Sequence, residues 1–192
     1  MKSNIIKNRS IELFLILIFI LTLSSCATAH KYDSNKPFVK ITQATSTDLH
    51  QFGSNPSANP YIEPKSLFRG KIDEFFILKI SLNLPKKSKI SIEPRAIRPD
   101  GKDSGRFYTR DSFIEYWKFK DVYDEDANPY GNTKMVAIQR SCLPSFEYMQ
   151  KAGNFEYYLP LVSPNPIARP TNVSIDVFID DVASCSYIYL IE

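Results

Sequence analysis

Apolar and polar residues alternate in several segments of the chain after residue 74. Between Phe76 and Leu84, every second residue is apolar, and Lys79, Ser81 and Asn83 lie on the opposite face. This period of two predicts a strand with one buried face. The same period predicts four more strands, at Ile90–Ile92, Phe155–Leu161, Val173–Ile179 and Cys185–Ile191. The first two strands are followed by Arg98-Pro99-Asp100-Gly101, in which Pro and Gly favour a turn.

Three further segments have weaker patterns. Residues 107–119 fit a strand through Phe113, Trp117 and Phe119 and also fit a helical face, and their aromatic residues favour the strand. Val136, Ile138 and Cys142 predict one more strand. Ser145 to Ala152 predicts a short helix, because Pro144 precedes it and Gly153 is placed to cap its end.

About seven strands and one short helix are typical of a mainly β, immunoglobulin-like two-sheet β-sandwich. We assign this domain to residues 71–192. The immunoglobulin likeness covers the architecture only, because Trp117 precedes both cysteines of the domain instead of lying between them. Residues 26–70 are rich in Ser, Thr, Asn and Pro and are predicted to form a flexible tether. Within the tether, Phe38–Thr42 is predicted to add a short strand to the edge of the domain.

The amino-terminal segment has the pattern of an export signal. Lys2, Lys7 and Arg9 precede an apolar stretch, which ends in Leu23-Ser24-Ser25-Cys26. This segment resembles the lipobox of bacterial lipoproteins. The resemblance implies that residues 1–25 are removed as a signal peptide and that the Cys26 thiol carries a diacylglyceryl group. In that class an Asp after the cysteine retains the protein at the inner membrane, so Ala27 favours the outer membrane. The alternative is an uncleaved anchor, because Leu13–Ala29 carries no charged residue.

The charge of the chain argues against a nucleic-acid partner. Removal of residues 1–25 takes away three of the 24 basic and one of the 21 acidic residues, which leaves a net charge of +1. The basic stretch at residues 86–110 could meet anionic lipid or an acidic partner, but alternation along strands would spread its charges over two faces. A solvated surface is the alternative that we favour for it.

Cys142 and Cys185 remain after Cys26 is assigned to lipid. In an exported chain, which enters an oxidising compartment, they are predicted to form a disulfide. The alternative is a pair of buried free thiols. Neither cysteine has a partner at the spacing of a metal site, and we predict no metal site from them.

One loop has a partial calcium pattern. Asp124, Asp126 and Asn128 occupy the first alternating positions of an EF-hand loop, but Pro129 stands where Gly is required and Met135 where a bidentate Glu is required. A solvated acidic loop is the interpretation that we favour, and a calcium loop of another kind is the alternative.

No catalytic or cofactor-binding motif is present in the sequence. The chain has two histidines and lacks a nucleophile elbow, a P-loop and a zinc motif. We therefore expect no catalytic residues and no cofactor. The sequence favours a lipid-anchored envelope protein that acts as a structural or protein-interaction module, held at the membrane by its anchor and bound to an envelope protein. The first alternative is a surface-exposed lipoprotein that binds a ligand or glycan through loops 98–106 and 121–133. The second is an envelope hydrolase with converging carboxylates.

Overall fold

The computed structural model describes residues 36–54, 58–63, 73–123, 131–163 and 167–192. Within these ranges the chain forms three helices and eight strands. In chain order they are β1 (Phe38–Gln43), α1 (Ser46–His50), β2 (Glu74–Leu84), β3 (Ser88–Ile97), β4 (Arg106–Phe107), α2 (Arg110–Tyr123), α3 (Gly131–Ser141), β5 (Glu147–Gln150), β6 (Gly153–Ser163), β7 (Thr171–Ile179) and β8 (Val182–Ile191). Among these described residues, no helix is both long enough and apolar enough to cross a membrane.

The strands form two antiparallel sheets of four strands each. The first sheet has the order β1-β2-β6-β4, and the second has the order β5-β3-β7-β8. Apolar residues of both sheets meet in one buried core, to which β2, β3, β6 and β7 contribute most. The prediction of a mainly β, two-sheet sandwich is therefore confirmed.

The alternation predicted for β2 is present and sets which face of the first sheet is internal. Phe76, Leu78 and Ile80 are buried in the core between the sheets. Ile77, on the opposite face of β2, is also buried, because the outer face of the first sheet is covered as well. The first sheet is thus buried on both faces around Ile77 and only partly covered on its outer face elsewhere, whereas the outer face of the second sheet carries exposed residues.

Helices α2 and α3 belong to the layer that covers the first sheet. Their buried residues share an apolar cluster with side chains of β2 and β6 and with the segment around Tyr61. The buried members of this cluster are Tyr61, Ile77, Phe113, Trp117, Ile138, Cys142, Tyr158 and Val162. We call this set the helical-layer cluster.

Two segments predicted as strands are helices. Residues 110–123 form α2, in which Phe113 and Trp117 are buried four positions apart, on one helical face. Residues 131–141 form α3, in which Ile138 is buried while Val136 is 42% exposed. A strand would have placed Val136 and Ile138 on the same face. Both predictions are wrong, because short aromatic and apolar segments fit either period and the choice depends on the surface that they contact.

The predicted helix at Ser145–Ala152 is also wrong. Residues 147–150 form β5, which pairs antiparallel with Ser88–Ser91 of β3. Tyr148 packs against the core, while Glu147 and Met149 are exposed, as alternation on a half-buried strand requires. Gly153 does not cap a helix but begins β6 with φ at 137°, a conformation that glycine adopts without strain.

The described part of residues 26–70 belongs to the folded domain, so the tether prediction is wrong there. β1 pairs antiparallel with β2, from Phe38 opposite Asn83 to Gln43 opposite Leu78, and the edge strand predicted at Phe38–Thr42 is confirmed. The Asn59 side-chain amide donates to the carbonyls of Leu49 and Gly53, each at 2.7 Å. These bonds satisfy a fully buried amide and fold the segment back on itself.

Candidate interaction surface

Two of the candidate sites lie outside the described residues. They are the predicted lipidation site at Cys26 and the calcium loop with Asp124, Asp126 and Asn128, which is the alternative to a solvated acidic loop. The first stays a prediction and the second an alternative. Within the described ranges, no group of three His, Cys, Asp or Glu side chains is placed to hold a metal ion.

The predicted disulfide between Cys142 and Cys185 is absent, and both thiols are free. Cys142 is fully buried in the helical-layer cluster, where its thiol donates to the Tyr108 carbonyl oxygen over 3.8 Å. Burial raises the pKa of Cys142 to about 12. Cys185 lies on β8 and packs against the core between the two sheets. The prediction is wrong because the first sheet separates the two cysteines, which chain spacing does not reveal.

The strand that carries Cys185, β8, provides the surface that we consider as a candidate functional site. β8 is the last strand of the second sheet and follows β7 through the two-residue turn Asp180-Asp181. Both turn residues have positive φ, 52° and 64°, as a type I′ hairpin turn requires. The Asp180 carboxylate holds this turn by accepting from the Lys89 amide at 2.9 Å and from the Lys86 ammonium at 3.2 Å. Those contacts lower the pKa of Asp180, with the bond from the Lys89 amide as the largest cause.

A register shift between Val177 and Phe178 leaves Ser184 without a partner on β7, which makes a β-bulge close to the turn. From Cys185 to Ile191 the pairing with β7 is regular. Within the described residues, no backbone hydrogen bond joins the other side of β8 to any segment. The N–H and C=O groups that point to that side are therefore available to another strand.

Side chains on both faces of β8 add apolar surface to this edge. On the outer face, Ile188 is 76% and Leu190 is 44% exposed, and they stand opposite Ser174 and Asn172 of β7. On the inner face, the Tyr187 and Tyr189 rings stack at 6.3 Å, and the Tyr189 ring lies 5.2 Å from that of Phe76. Burial raises the pKa of Tyr187.

The other sheet edges are short, capped or charged. β4 has two residues, and the β6 edge beyond it accepts hydrogen bonds from Tyr108 at 2.9 Å and Leu143 at 3.0 Å. β5 has four residues and includes Glu147. β3 continues past the end of β5, and there it carries Pro94, which has no N–H to leave unpaired. β1 exposes Lys40. Native proteins use these devices to prevent pairing at an edge.

β8 has none of these devices along Cys185–Ile191. All ten residues from Val182 to Ile191 are uncharged, and none is Pro. We therefore define the candidate interaction surface as the outer edge of β8 from Cys185 to Ile191. The alternation of this strand was predicted from the sequence, but its position at a free edge was not. The run of ten residues without a charge was the signal that could have indicated it.

A cleft of about 520 Å³ lies at the carboxyl end of β8. It is lined by residues of β1, β2 and β8 together with Ile167 and Arg169. Glu74 in this cleft accepts from the Ile167 amide at 2.5 Å and from the Arg169 guanidinium at 2.6 Å. Because these partners satisfy the carboxylate, the cleft extends the edge of β8 without adding an unpaired charge from Glu74.

A second cleft, of about 490 Å³, opens between β3 and β4 and borders the predicted recognition loop 98–106. Its apolar lining includes Phe107 and Phe146, and its charged lining comprises Arg95, Arg106 and Asp103. The Arg106 guanidinium lies 5.2 Å from the centre of the Tyr108 ring, which orients that side chain. The other predicted recognition loop, 121–133, lies partly in α2 and α3 and partly outside the described residues.

Asp73, Tyr116 and Lys120 form a polar cluster at the edge of the helical layer. The Asp73 carboxylate is nearly inaccessible and accepts from the Lys120 ammonium at 2.7 Å and from the Tyr116 hydroxyl at 2.5 Å. Burial, followed by the contact with Asp73, raises the pKa of Tyr116. These contacts connect Asp73, which directly precedes β2, to α2. Because the carboxylate has a cation and a hydroxyl as partners, we interpret its role as structural.

Comparison with known proteins yields no relative: no known protein family, no curated protein and no solved structure matches the chain.

Proposed function

We propose that this chain is a lipid-anchored protein of the bacterial cell envelope that acts as a structural or protein-interaction module. The observation that carries the proposal is the edge of β8, which offers unpaired backbone groups and apolar side chains along an uncharged strand. Addition of a partner's extended segment to such an edge is a common mode of protein recognition, in which main-chain hydrogen bonds supply affinity. The module would therefore bind its partner by extending the second sheet.

The lipid anchor rests on the lipobox resemblance at Leu23–Cys26. Each methylene that enters the bilayer contributes about 0.8 kcal/mol, and one acyl chain alone binds only marginally. The two chains of a diacylglyceryl group on Cys26 would hold the domain at the membrane, and Ala27 favours the outer membrane. Metabolic labelling with palmitate tests this part of the proposal. We expect label on the wild-type chain and none on Cys26→Ala, and labelling of that variant would contradict the anchor.

The interaction surface is tested by photo-crosslinking in intact cells. A benzophenone amino acid replaces Ile188 on β8 or, as the matched control, Met149 on β5, which is 58% exposed on the other edge strand of the same sheet. We expect a discrete protein adduct from position 188 and none from position 149. Absence of an adduct at 188, or equal adducts at both positions, would refute the proposal.

A second candidate function is the binding of a small ligand at the cell surface, which the cleft between β3 and β4 favours. Its volume of about 490 Å³ lies in the range of small-molecule sites, and it combines aromatic and basic side chains. An Arg106→Ala variant separates the two candidates. If the cleft binds an anionic ligand, this variant loses glycan or small-anion binding in a screen, while the adduct at position 188 is unchanged.

A further inference from the structure

We propose that the strand which pairs with β8 is β8 of a second copy of this chain. The two strands would run antiparallel about a two-fold axis and join the second sheets of both copies into one sheet of eight strands. The inference rests on the proposed function, because it requires the edge of β8 to bind a strand, and it names the partner.

The absence of charge on β8 favours self-pairing. When a strand pairs with its own copy about a two-fold axis, a charged side chain at the axis stands opposite an identical charge, and like charges placed opposite each other destabilise a sheet. β5 would carry this penalty in a register that places Glu147 at the axis, and β1 in a register that places Lys40 there. β8 carries no charged residue from Val182 to Ile191, so no such repulsion arises.

The register of β8 also suits a two-fold axis. Directly opposite residues of two antiparallel strands have their side chains on the same face of the sheet. A two-fold axis perpendicular to the sheet therefore lies midway between the two copies of a single residue, which stands opposite itself. The regular segment begins after the bulge, at Cys185, and ends at Ile191, and its central residue is Ile188. Ile188 is also the large apolar side chain with the highest exposure among the described residues, 76%.

An axis at Ile188 produces matched pairs on both faces. On the outer face, Ile188 meets Ile188 of the second copy. On the inner face, Tyr187 meets Tyr189 of the second copy, which adds an aromatic pair across the junction. β1 contacts β8 across the side of the sandwich, so a copy seated on β8 also covers part of the β1 edge. That contact adds area toward the roughly 1,200 Å² of a stable interface.

The experiment measures the mass of the purified full chain in detergent by sedimentation, together with thiol crosslinking. Ile188→Cys is compared with Met149→Cys, both in a Cys185→Ser background, with a short bifunctional maleimide as the crosslinker. Cys142 is fully buried, and the Cys26 thiol is bonded to lipid in the proposed mature chain, so neither thiol competes for the crosslinker. We expect a crosslinked dimer from position 188 only, because directly opposite residues have Cβ atoms about 5 Å apart.

Charge substitution provides the second measurement. Ile188→Lys places two ammonium groups opposite each other at the axis, and we expect its dimer dissociation constant to rise at least about tenfold relative to Met149→Lys. Circular dichroism shows whether each variant is folded, and substitution at these exposed positions is expected to leave the fold intact.

Three outcomes decide the inference. A dimer with crosslinks at position 188, weakened by Ile188→Lys, supports it. A monomeric wild-type chain, together with an adduct at position 188 to a different protein in cells, overturns the inference and leaves the proposed function standing. A monomeric chain without any adduct in cells overturns both.

Discussion

Replacement of Tyr61 tests whether the segment before β2 is part of the fold. Tyr61 is 2% exposed, and its ring centre lies 5.0 Å from that of Phe52 and 5.3 Å from that of Tyr158. The Ser141 hydroxyl donates to the Ala137 carbonyl at 2.6 Å, so the Tyr61 hydroxyl donates to Ser141 at 2.8 Å. The residue thus ties the segment at 58–63 to α3 and to the outer face of the first sheet.

Two substitutions of Tyr61 separate the contribution of ring packing to stability from that of the hydrogen bond. Removal of a buried aromatic ring costs about 3–5 kcal/mol, and we expect Tyr61→Ala to lower the free energy of unfolding by that amount. Tyr61→Phe keeps the ring and loses one hydrogen bond, which costs about 1 kcal/mol. For a domain of this size, the alanine variant should lower the melting temperature by roughly 6–20 °C.

Urea unfolding followed by circular dichroism measures both values. Ser54→Ala, an exposed substitution near the same segment, is the control and should change the free energy by less than about 0.5 kcal/mol. A change of less than about 1 kcal/mol in the free energy of unfolding of Tyr61→Ala would contradict a stabilising role for this segment.

Two further predictions concern titratable groups. The pKa of Asp48 is lowered from 3.8 to about 2, first by the Thr45 side-chain hydrogen bond and then by the Thr45 amide and Lys79. The carboxylate therefore stabilises the fold above pH 4, by about 1 kcal/mol after solvent screening, and this contribution is lost as the pH falls toward 2. Asp48→Asn should flatten the dependence of stability on pH in that window, and an unchanged curve would contradict the assignment. Cys142 and Cys185 should both be alkylated in denaturant without a reductant, as measured by mass spectrometry, and in the folded protein Cys185 should react first, because Cys142 is fully buried with a raised pKa. A requirement for prior reduction would show that a disulfide is present.

The regular strands could be read from the sequence because their signal is local. The alternation around Leu78 and around Val177 reports a half-buried surface directly, and both segments are strands. The helices could not be read in this way. Phe113 and Trp117 fit either period, and only their contact with the outer face of the first sheet fixes the helix.

For the candidate interaction surface, too, the sequence determined one part and the tertiary structure the other. The sequence by itself determined that Cys185–Ile191 is an alternating strand without a charged residue, and it carries the lipobox pattern that ends at Cys26. Only the tertiary structure decided that this strand lies at a sheet edge and that Cys142 and Cys185 lie on opposite sides of the first sheet. The physical reason is that the alternation of buried and exposed side chains involves residues close together in the chain. Strand order and cysteine pairing instead depend on contacts between residues far apart in sequence.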